Sequence, residues 1–191
     1  YTAILTILFL AFGGTDIHLP QTFADWLSTR KPGLAGVIHL GACTDTMELD
    51  EDYLREWNLD YSKMLWDWCT TARVPFVYAS SAATYGGGES GYSDDESLIP
   101  RLKPLNPYGE SKRLFDLEAL ASERRGATPP SWAGFKFFNV YGFGERHKGK
   151  MASVVLHSFD QIARTGGVKL FRSHRDGIAD GEQKRDFIHV D

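Results

Sequence analysis

Tyr108 and Lys112 are the two residues whose types and spacing point most directly to chemistry. They lie four positions apart in the segment 106–112, which reads NPYGESK, and positions four apart share one face of a helix. If the helix already includes Tyr108, the ammonium of Lys112 lies beside the phenol and lowers its pKa from about 10 toward neutral pH. Tyr108 would then act as a general acid or base. Taken alone, the pair also fits an ordinary helix start with a surface lysine and a half-buried tyrosine.

The chain around this pair alternates between strand-like and helix-like segments. Short apolar runs predict buried strands at 36–40, 76–79 and 132–140. Helical spacing of apolar residues predicts helices at 21–27, 52–71 and 108–125. This alternation predicts an α/β fold with a Rossmann-like, doubly wound parallel sheet, in which ligands lie at the carboxyl ends of the strands. We expect Ser81, Asn139 and, through the helix that carries it, Tyr108 to converge at that edge.

Composition excludes several classes of protein. The chain has 191 residues, a formal net charge of −4 and no basic stripe, so nucleic acid is not an expected partner. Its two cysteines, Cys43 and Cys69, are too few and too isolated for a disulfide framework or a metal site. They fit a cytoplasmic protein, and we interpret both as small buried hydrophobic residues. The apolar run 1–12 is too short to cross a bilayer and lacks the flanks of a signal peptide, so we expect a buried strand there and no membrane partner.

Four motifs in a fixed order accompany the pair of Tyr108 and Lys112. They are VIHLGA at 37–42, ASSAATYG at 79–86, NPYGESK at 106–112 and FFNVYG at 137–142. A serine after a strand can hydrogen bond a substrate oxygen while the tyrosine exchanges its proton, and the lysine can bond a ribose. Together these motifs resemble the extended short-chain dehydrogenase/reductase family. The resemblance implies an enzyme with a nicotinamide cofactor.

Further segments, one upstream and three downstream of Tyr108, resemble one branch of this family more closely. This branch inverts C6 of ADP-linked heptoses. The matching segments are GACT at 41–44, HKGKMAS at 147–153, LF at 170–171 and KRDF at 184–187. This branch serves synthesis of the lipopolysaccharide inner core. The resemblance implies an epimerase, an isomerase whose NADP, with NAD as the alternative, takes a hydride from C6 and returns it to the other face of the resulting ketone. It also implies an ADP-sugar substrate and a homo-oligomer.

The resemblance assigns roles to single positions. It implies that Tyr108 and Lys148 are two acid/base residues, because inversion needs proton transfer on both faces, and that Ser81 bonds the reacting oxygen. The implied cofactor contacts are Lys112, Gly41, Ala42, Cys43, Thr44, Asn58 and Val140. The implied substrate contacts are Asn139, Lys150, His157, Phe171 and Arg185. Arg185 suits a diphosphate, because a guanidinium bonds phosphate oxygens in pairs.

The sequence departs from the family pattern in places. No Gly-x-x-Gly-x-x-Gly turn occurs upstream, although that turn places a pyrophosphate at a helix N-terminus. We therefore expect a fragment, with residues 1–145 forming an incomplete Rossmann-like domain without its first βα unit. Residues 146–191 would begin a small substrate-binding part. Lys150 replaces a serine that is usual in the family, and Leu40 replaces a common glutamate.

Two other functions stay open on the sequence. One is another nucleotide-sugar epimerase of the same fold. The other is a non-catalytic remnant, which the missing glycine turn favours, whereas Ser81, Tyr108, Lys112 and Lys148 favour an active parent. Dehydratases of this family carry an Asp-Glu pair after the catalytic serine or threonine. The pair 82–83 is Ala-Ala here, which argues against dehydration.

Overall fold

The computed structural model describes residues 8–11, 14–174 and 176–191. The chain divides into two compact units, Tyr1–Lys136 and Phe137–Asp191. The functional boundary expected after residue 145 stays a prediction. Within the residues that the structure describes, no helix has the length and apolar character needed to cross a membrane.

The first unit begins with a pair of short strands and a helix. Strand β1 (Leu8–Ala11) pairs antiparallel with β2 (Gly14–Ile17). The strand expected at 1–12 is therefore present at 8–11, and the rest of that run lies outside the described residues. Helix α1 (Pro20–Arg30) follows, with a proline in its first turn and a left-handed residue, Lys31, at its end. Proline suits the first turn of a helix because its φ is already helical and no N–H is needed there.

A three-stranded sheet with the order β3-β4-β5 forms the centre of the first unit. Strand β3 (Val37–His39) runs parallel to β4 (Phe76–Ser81), with Val37 opposite Phe76. Strand β5 (Trp132–Phe137) lies on the other edge of β4. Together with its helices this sheet is Rossmann-like, as predicted.

The segment predicted as one helix at 52–71 consists of three helical pieces. These are α2 (Glu51–Leu54), a π-helical turn (Arg55–Asp60) and α3 (Tyr61–Ala72). Asp50 begins the helix, because its carboxylate accepts a hydrogen bond from the backbone N–H of Tyr53. The π-helical turn was not predicted, since the apolar spacing changes too little to reveal one wider turn.

Helix α4 (Pro107–Arg124) starts where the sequence predicts. The carbonyl oxygen of the Asn106 side chain accepts a hydrogen bond from the N–H of Gly109 at 2.7 Å, and Pro107 occupies the first turn. Two 3₁₀ turns, Ala82–Tyr85 and Glu96–Arg101, lie between β4 and α4. Local capping thus fixes the start of α4 and places Tyr108 in the first turn of this helix.

Apolar side chains from the sheet and its helices pack into one core. The buried members include Phe23, Leu27, Val37, Leu65, Trp66, Cys69, Phe76, Phe115 and Ala119. The Trp66 ring packs edge-on against Phe76 and Phe115, with ring centroids 5.8 and 6.2 Å apart. Such edge-to-face contacts add to the free energy of burial. The core holds α3 and α4 against β4, the strand that ends at Ser81.

The second unit contains a short parallel pair of strands and one longer helix. Strand β6 (Asn139–Tyr141) pairs with β7 (Phe187–His189), and between them lie a 3₁₀ segment (Glu145–Met151) and α5 (Val154–Thr165). The single strand predicted at 132–140 is wrong. It is two strands, because β5 pairs with β4 whereas β6 pairs with β7, and alternation of apolar residues does not reveal a change of pairing partner.

Candidate functional site

Three candidate residues meet at the end of β4. Ser81 is the last residue of that strand, and its side chain lies close enough to the phenol of Tyr108 on α4 to interact with it. The ammonium of Lys112, one helical turn after Tyr108, donates a hydrogen bond to the carbonyl of Ala79 at 3.1 Å. Tyr108 is 8% exposed and Lys112 is 6% exposed. The expected convergence is therefore present for Ser81 and Tyr108, whereas that of Asn139 stays a prediction. The alternative of a surface lysine is wrong.

The environment of Tyr108 favours its protonated form. Burial raises the pKa of the phenol, the hydrogen bond from Ser81 opposes this, and the neighbouring Cys43 adds to the increase. The expectation that Lys112 lowers the pKa of Tyr108 is wrong for the protein by itself, because the cost of burying a phenolate exceeds the favourable interactions around it. Tyr108 is thus a proton donor in this structure.

Lys112 is a buried cation with unused hydrogen-bonding capacity. Burial lowers its pKa from 10.5 to about 8, and the negative charge of Asp116 partly offsets this. Among the described residues, its hydrogen-bond acceptor is the Ala79 carbonyl. Since an ammonium has three N–H groups, two remain for a ligand such as a pair of ribose hydroxyls.

Asn58 connects the loop after β3 to the start of α4. It lies in the π-helical turn, is 1% exposed, and its side-chain oxygen accepts from the N–H of Cys43 at 2.8 Å. Its amide nitrogen donates to the carbonyl of Cys43 at 3.2 Å and to the hydroxyl of Ser111 at 2.9 Å. Both N–H groups are therefore occupied by protein acceptors. Asn58 orients the loop, and its expected contact with a cofactor stays a prediction.

The loop after β3 contains the other small residues predicted to line a cofactor. Gly41 and Cys43 are buried, whereas Thr44 is exposed. Ala42 has a φ of 146°, a conformation that is unfavourable for any residue with a Cβ atom. The small side chains leave the backbone accessible to a flat ligand.

Both cysteines are buried, free and poorly nucleophilic, as predicted. Burial raises the pKa of Cys69 to about 12, and burial is also the main reason that the pKa of Cys43 is raised. A thiol with a raised pKa stays protonated near neutral pH and reacts slowly. Cys43 therefore belongs to this site through its backbone and its packing.

The sequence analysis missed His39, which ends β3 and is 2% exposed. Its Nε2 lies 2.9 Å from the hydroxyl oxygen of Ser62, and that hydroxyl donates to the carbonyl of Asn58 at 2.8 Å. His39 therefore donates from Nε2, and its Nδ1 has no partner among the described residues. Burial and then the charge of Lys112 lower the pKa of His39 to about 3, so the ring is neutral.

The sequence analysis also missed a buried ion pair one turn beyond Lys112. The carboxylate of Asp116 accepts hydrogen bonds from the hydroxyls of Tyr78 and Ser80 at 3.0 and 2.8 Å, and it pairs with the ammonium of Lys136 on β5. The spacing of Tyr108, Lys112 and Asp116 gave a signal, since residues four apart share a helical face. Lys136, which lies on a distant strand, gave none.

In the second unit, Lys148 and Lys150 are exposed on the 3₁₀ segment. Buried Glu145 anchors that segment, because its carboxylate accepts from the N–H of Ser153 at 2.7 Å and from the Ser153 hydroxyl at 2.8 Å. Hydrogen bonds and the charge of Lys148 lower the pKa of Glu145 against the opposing effect of desolvation. Lys148 is therefore a solvent-accessible cation on an anchored turn.

The remaining substrate candidates, and the cofactor candidate Val140, also belong to the second unit. Asn139 and Val140 are on β6, where the Asn139 amide donates to the carbonyl of Asp186 at 2.9 Å and Val140 lies opposite Ile188. His157 is on an exposed face of α5, and Phe171 and Arg185 are exposed in segments outside the helices and strands. Their roles stay predictions.

A family model and curated relatives place this chain among known proteins. The model of the NAD dependent epimerase/dehydratase family matches residues 14–191. The ADP-L-glycero-D-manno-heptose-6-epimerase of Fusobacterium nucleatum is 48% identical over 170 residues, which are 87% of this chain and 50% of that protein. The enzyme of the same name from Nitratidesulfovibrio vulgaris is 51% identical over 154 residues, 81% of this chain and 46% of that protein. The chain spans about half the length of the curated relatives it matches.

Solved structures agree with this assignment. The ADP-L-glycero-D-manno-heptose-6-epimerase of Helicobacter pylori has a TM-score of 0.70 and 27% identity, covering 87% of this chain and 48% of that one. MoeE5 in complex with UDP-glucose and NAD has a TM-score of 0.64 and 29% identity, covering 87% of this chain and 50% of that one. The fold, the order of the motifs and these similarities together show that the chain belongs to the NAD dependent epimerase/dehydratase family, within the extended short-chain dehydrogenases/reductases.

Proposed function

We propose that this chain carries the redox centre of an ADP-heptose 6-epimerase, which oxidises C6 of its substrate transiently and reduces it again. The observation that carries this proposal is the approach of the Ser81 side chain to the phenol of Tyr108, with the buried Lys112 one helical turn away. The similarity to two curated enzymes of that name supports the choice of substrate.

Tyr108 and Ser81 act on the oxygen at C6. Ser81 donates a hydrogen bond to this oxygen, and Tyr108 exchanges the proton of the C6 hydroxyl. The buried, protonated phenol is suited to protonate the ketone oxygen during reduction. When bound, an oxidised nicotinamide would supply a hydride acceptor and a positive charge that favours the phenolate needed for oxidation.

Several residues of the first unit fit a nicotinamide cofactor. The two remaining N–H groups of Lys112 can bond ribose hydroxyls, and the small residues Gly41, Ala42, Cys43 and Thr44 offer accessible backbone beside them. Val140 is assigned to the same cofactor through the family motif. We propose NADP as the cofactor, with NAD as the alternative.

Inversion requires a second acid/base residue, and we assign this role to Lys148. A ketone that is reduced from its other face presents its oxygen in a different direction, so one tyrosine cannot protonate it in both orientations. Lys148 supports this role because it is exposed on a segment that Glu145 anchors. We assign substrate contacts to Asn139, Lys150, His157, Phe171 and Arg185.

The wider setting that follows is a cytoplasmic, homo-oligomeric enzyme of lipopolysaccharide inner-core synthesis. A second candidate is an epimerase or related enzyme that acts on a UDP-sugar. The similarity to MoeE5, whose structure holds UDP-glucose and NAD, favours this candidate. The two candidates share Ser81, Tyr108 and Lys112, and differ in the residues that bind the sugar.

An isotope experiment tests the proposal. The protein is incubated with NADP and an ADP-heptose that carries deuterium at C6, and the epimers are separated and analysed by mass spectrometry. Because the hydride leaves and returns within one site, we expect both epimers to form with the deuterium retained at C6. Exchange of that deuterium for solvent hydrogen would contradict transient oxidation. Turnover of UDP-glucose, but not of ADP-heptose, would support the second candidate.

A further inference from the structure

Three charged side chains lie one or more helical turns beyond Tyr108, two of them buried and one partly buried. Lys112 and Asp116 lie on successive turns of α4, and Lys136 reaches Asp116 from β5. Lys112 and Asp116 are 6% and 3% exposed, and the side chain of Lys136 is 15% exposed. Lys136 is therefore paired with the Asp116 carboxylate, and the charge of the same carboxylate acts on Lys112 one helical turn away.

Asp116 also ties α4 to the strand that carries Ser81. Its carboxylate accepts from the hydroxyls of Tyr78 and Ser80, which lie on β4. Lys136 donates in addition to the hydroxyl of Thr84, just beyond the end of that strand, at 2.9 Å. The carboxylate thus fixes the position of α4 along β4. This position places Tyr108 near Ser81 at the end of the strand.

Lys112 depends on Asp116 for its charge. The titratable groups that influence it, or that lie on its face of α4, come from three elements: Tyr108 and Asp116 on α4, His39 on β3, and Cys43 in the following loop. Of these, His39 is neutral, and the thiol of Cys43 and the phenol of Tyr108 are protonated because their pKa values are raised. Asp116 is therefore the anion of this group that offsets the burial of the ammonium.

We propose that Asp116 is a positioning residue whose negative charge attracts the ammonium of Lys112 while Lys136 opposes that attraction, so that Lys136 determines how firmly Lys112 is held in its protonated form beside Tyr108. Removing the carboxylate leaves Lys112 without the nearby negative charge that offsets its burial. Removing Lys136 leaves the negative charge of Asp116 in place and removes a positive charge that repels Lys112. The two substitutions should therefore change the titration of Lys112 in opposite directions, although both break the same ion pair.

The consequence for catalysis rests on the proposed function. A protonated Lys112 can donate to a ribose and favours the phenolate of Tyr108 when a substrate hydroxyl gives up its proton. The alkaline limit of the reaction would then follow the deprotonation of Lys112. The titration itself needs neither cofactor nor turnover, so it can be measured even if the proposed reaction is wrong.

The test is an NMR titration of this chain with ¹³C-labelled lysine, in which the signal of Lys112 is assigned by its loss in Lys112→Arg. The variants are Asp116→Asn, Lys136→Met and the double variant, and the matched control is Glu118→Gln. Glu118 lies on the same helix but pairs with Lys63 and Arg125. We expect the pKa of Lys112 to fall by about one unit in Asp116→Asn, to rise by a similar amount in Lys136→Met, and to stay unchanged in the control.

The double variant keeps the test decisive if Asp116→Asn alone does not fold, because it removes both members of the ion pair. Its Lys112 should titrate at a lower pH than that of the unmodified protein. Shifts in the same direction in Lys136→Met and the double variant, or no shift in either, would overturn the inference. If epimerisation occurs, its alkaline limit should move in the same order as these titrations.

Discussion

The amide nitrogen of Asn58 lies 2.9 Å from the hydroxyl oxygen of Ser111, across 53 positions of the chain. The hydroxyl of Ser111 in turn donates a hydrogen bond to the carbonyl of Tyr108 at 2.7 Å. The π-helical turn thereby holds the first turn of α4 and the loop after β3 in one arrangement. Because these groups are buried, loss of the amide leaves several of them without partners.

We expect Asn58→Leu to lower the free energy of unfolding by about 3 kcal/mol, because each buried polar group left without a partner costs roughly 1–3 kcal/mol. Urea denaturation followed by circular dichroism measures this change. The comparison is Asn106→Ala, which removes a helix cap and should cost about 1 kcal/mol. An Asn58→Leu protein as stable as the unmodified one would show that the network contributes nothing to stability.

Because His39 is buried and neutral, we expect the stability of the fold to decrease in acid. Its pKa falls from 6.5 to about 3 on folding, so the unfolded chain binds more protons between these values and stability decreases as the pH falls through this window. The full contribution above pH 6.5 is up to about 5 kcal/mol. His39→Gln, whose amide can still donate to Ser62, should lose this part of the pH dependence, whereas the exposed His157→Gln should keep it. Equal pH dependence in both variants would contradict the prediction.

The burial of Lys112 leads us to expect that this residue lowers the stability of the fold while it serves cofactor binding. Its pKa is lowered from 10.5 to about 8, so folding opposes its charge and stability should rise between pH 8 and 10.5. At pH 7 we expect Lys112→Met to raise the free energy of unfolding by about 2 kcal/mol relative to the unmodified protein. We expect the same substitution to abolish cofactor binding. Thermal unfolding at pH 7 and 10 and a fluorescence titration with NADPH test this. The exposed Lys103→Met is the control and should change neither.

Lys148 and Tyr108 have separate roles in the proposed reaction. We expect Lys148→Met to slow interconversion of the epimers by about 10²- to 10⁴-fold, the usual effect of losing one acid/base group. Its fold should be unaffected, since the side chain is exposed. Lys169→Met, a change of another exposed lysine in the same unit, should leave the rate as it is. A fully active Lys148→Met would transfer the second acid/base role to a different residue.

The sequence predicts the parts of this molecule that depend on local patterns. Apolar spacing located α1, α3 and α4, and the predicted start of α4 at residue 108 lies within one residue of the observed start at Pro107. The order of the motifs then indicated that Ser81 and Tyr108 meet.

What the sequence missed depends on contacts between distant positions. Three features arise from packing: the change of pairing partner between β5 and β6, the ion pair of Asp116 with Lys136, and the His39 nitrogen Nδ1, for which the described part of the chain offers no partner. The expected lowering of the Tyr108 pKa failed for the same reason. It considered the spacing of two residues and left out the burial that surrounds them.

The central claim is that Tyr108 exchanges a proton at C6 of an ADP-heptose. The direct measurement is the rate at which either C6 epimer reaches the common equilibrium mixture with NADP present, compared among the unmodified protein, Tyr108→Phe and Tyr92→Phe. Tyr92 is 63% exposed and serves as the matched control. We predict that Tyr108→Phe slows equilibration by about 10²-fold or more and that Tyr92→Phe does not change it. Unchanged equilibration in Tyr108→Phe would contradict the claim.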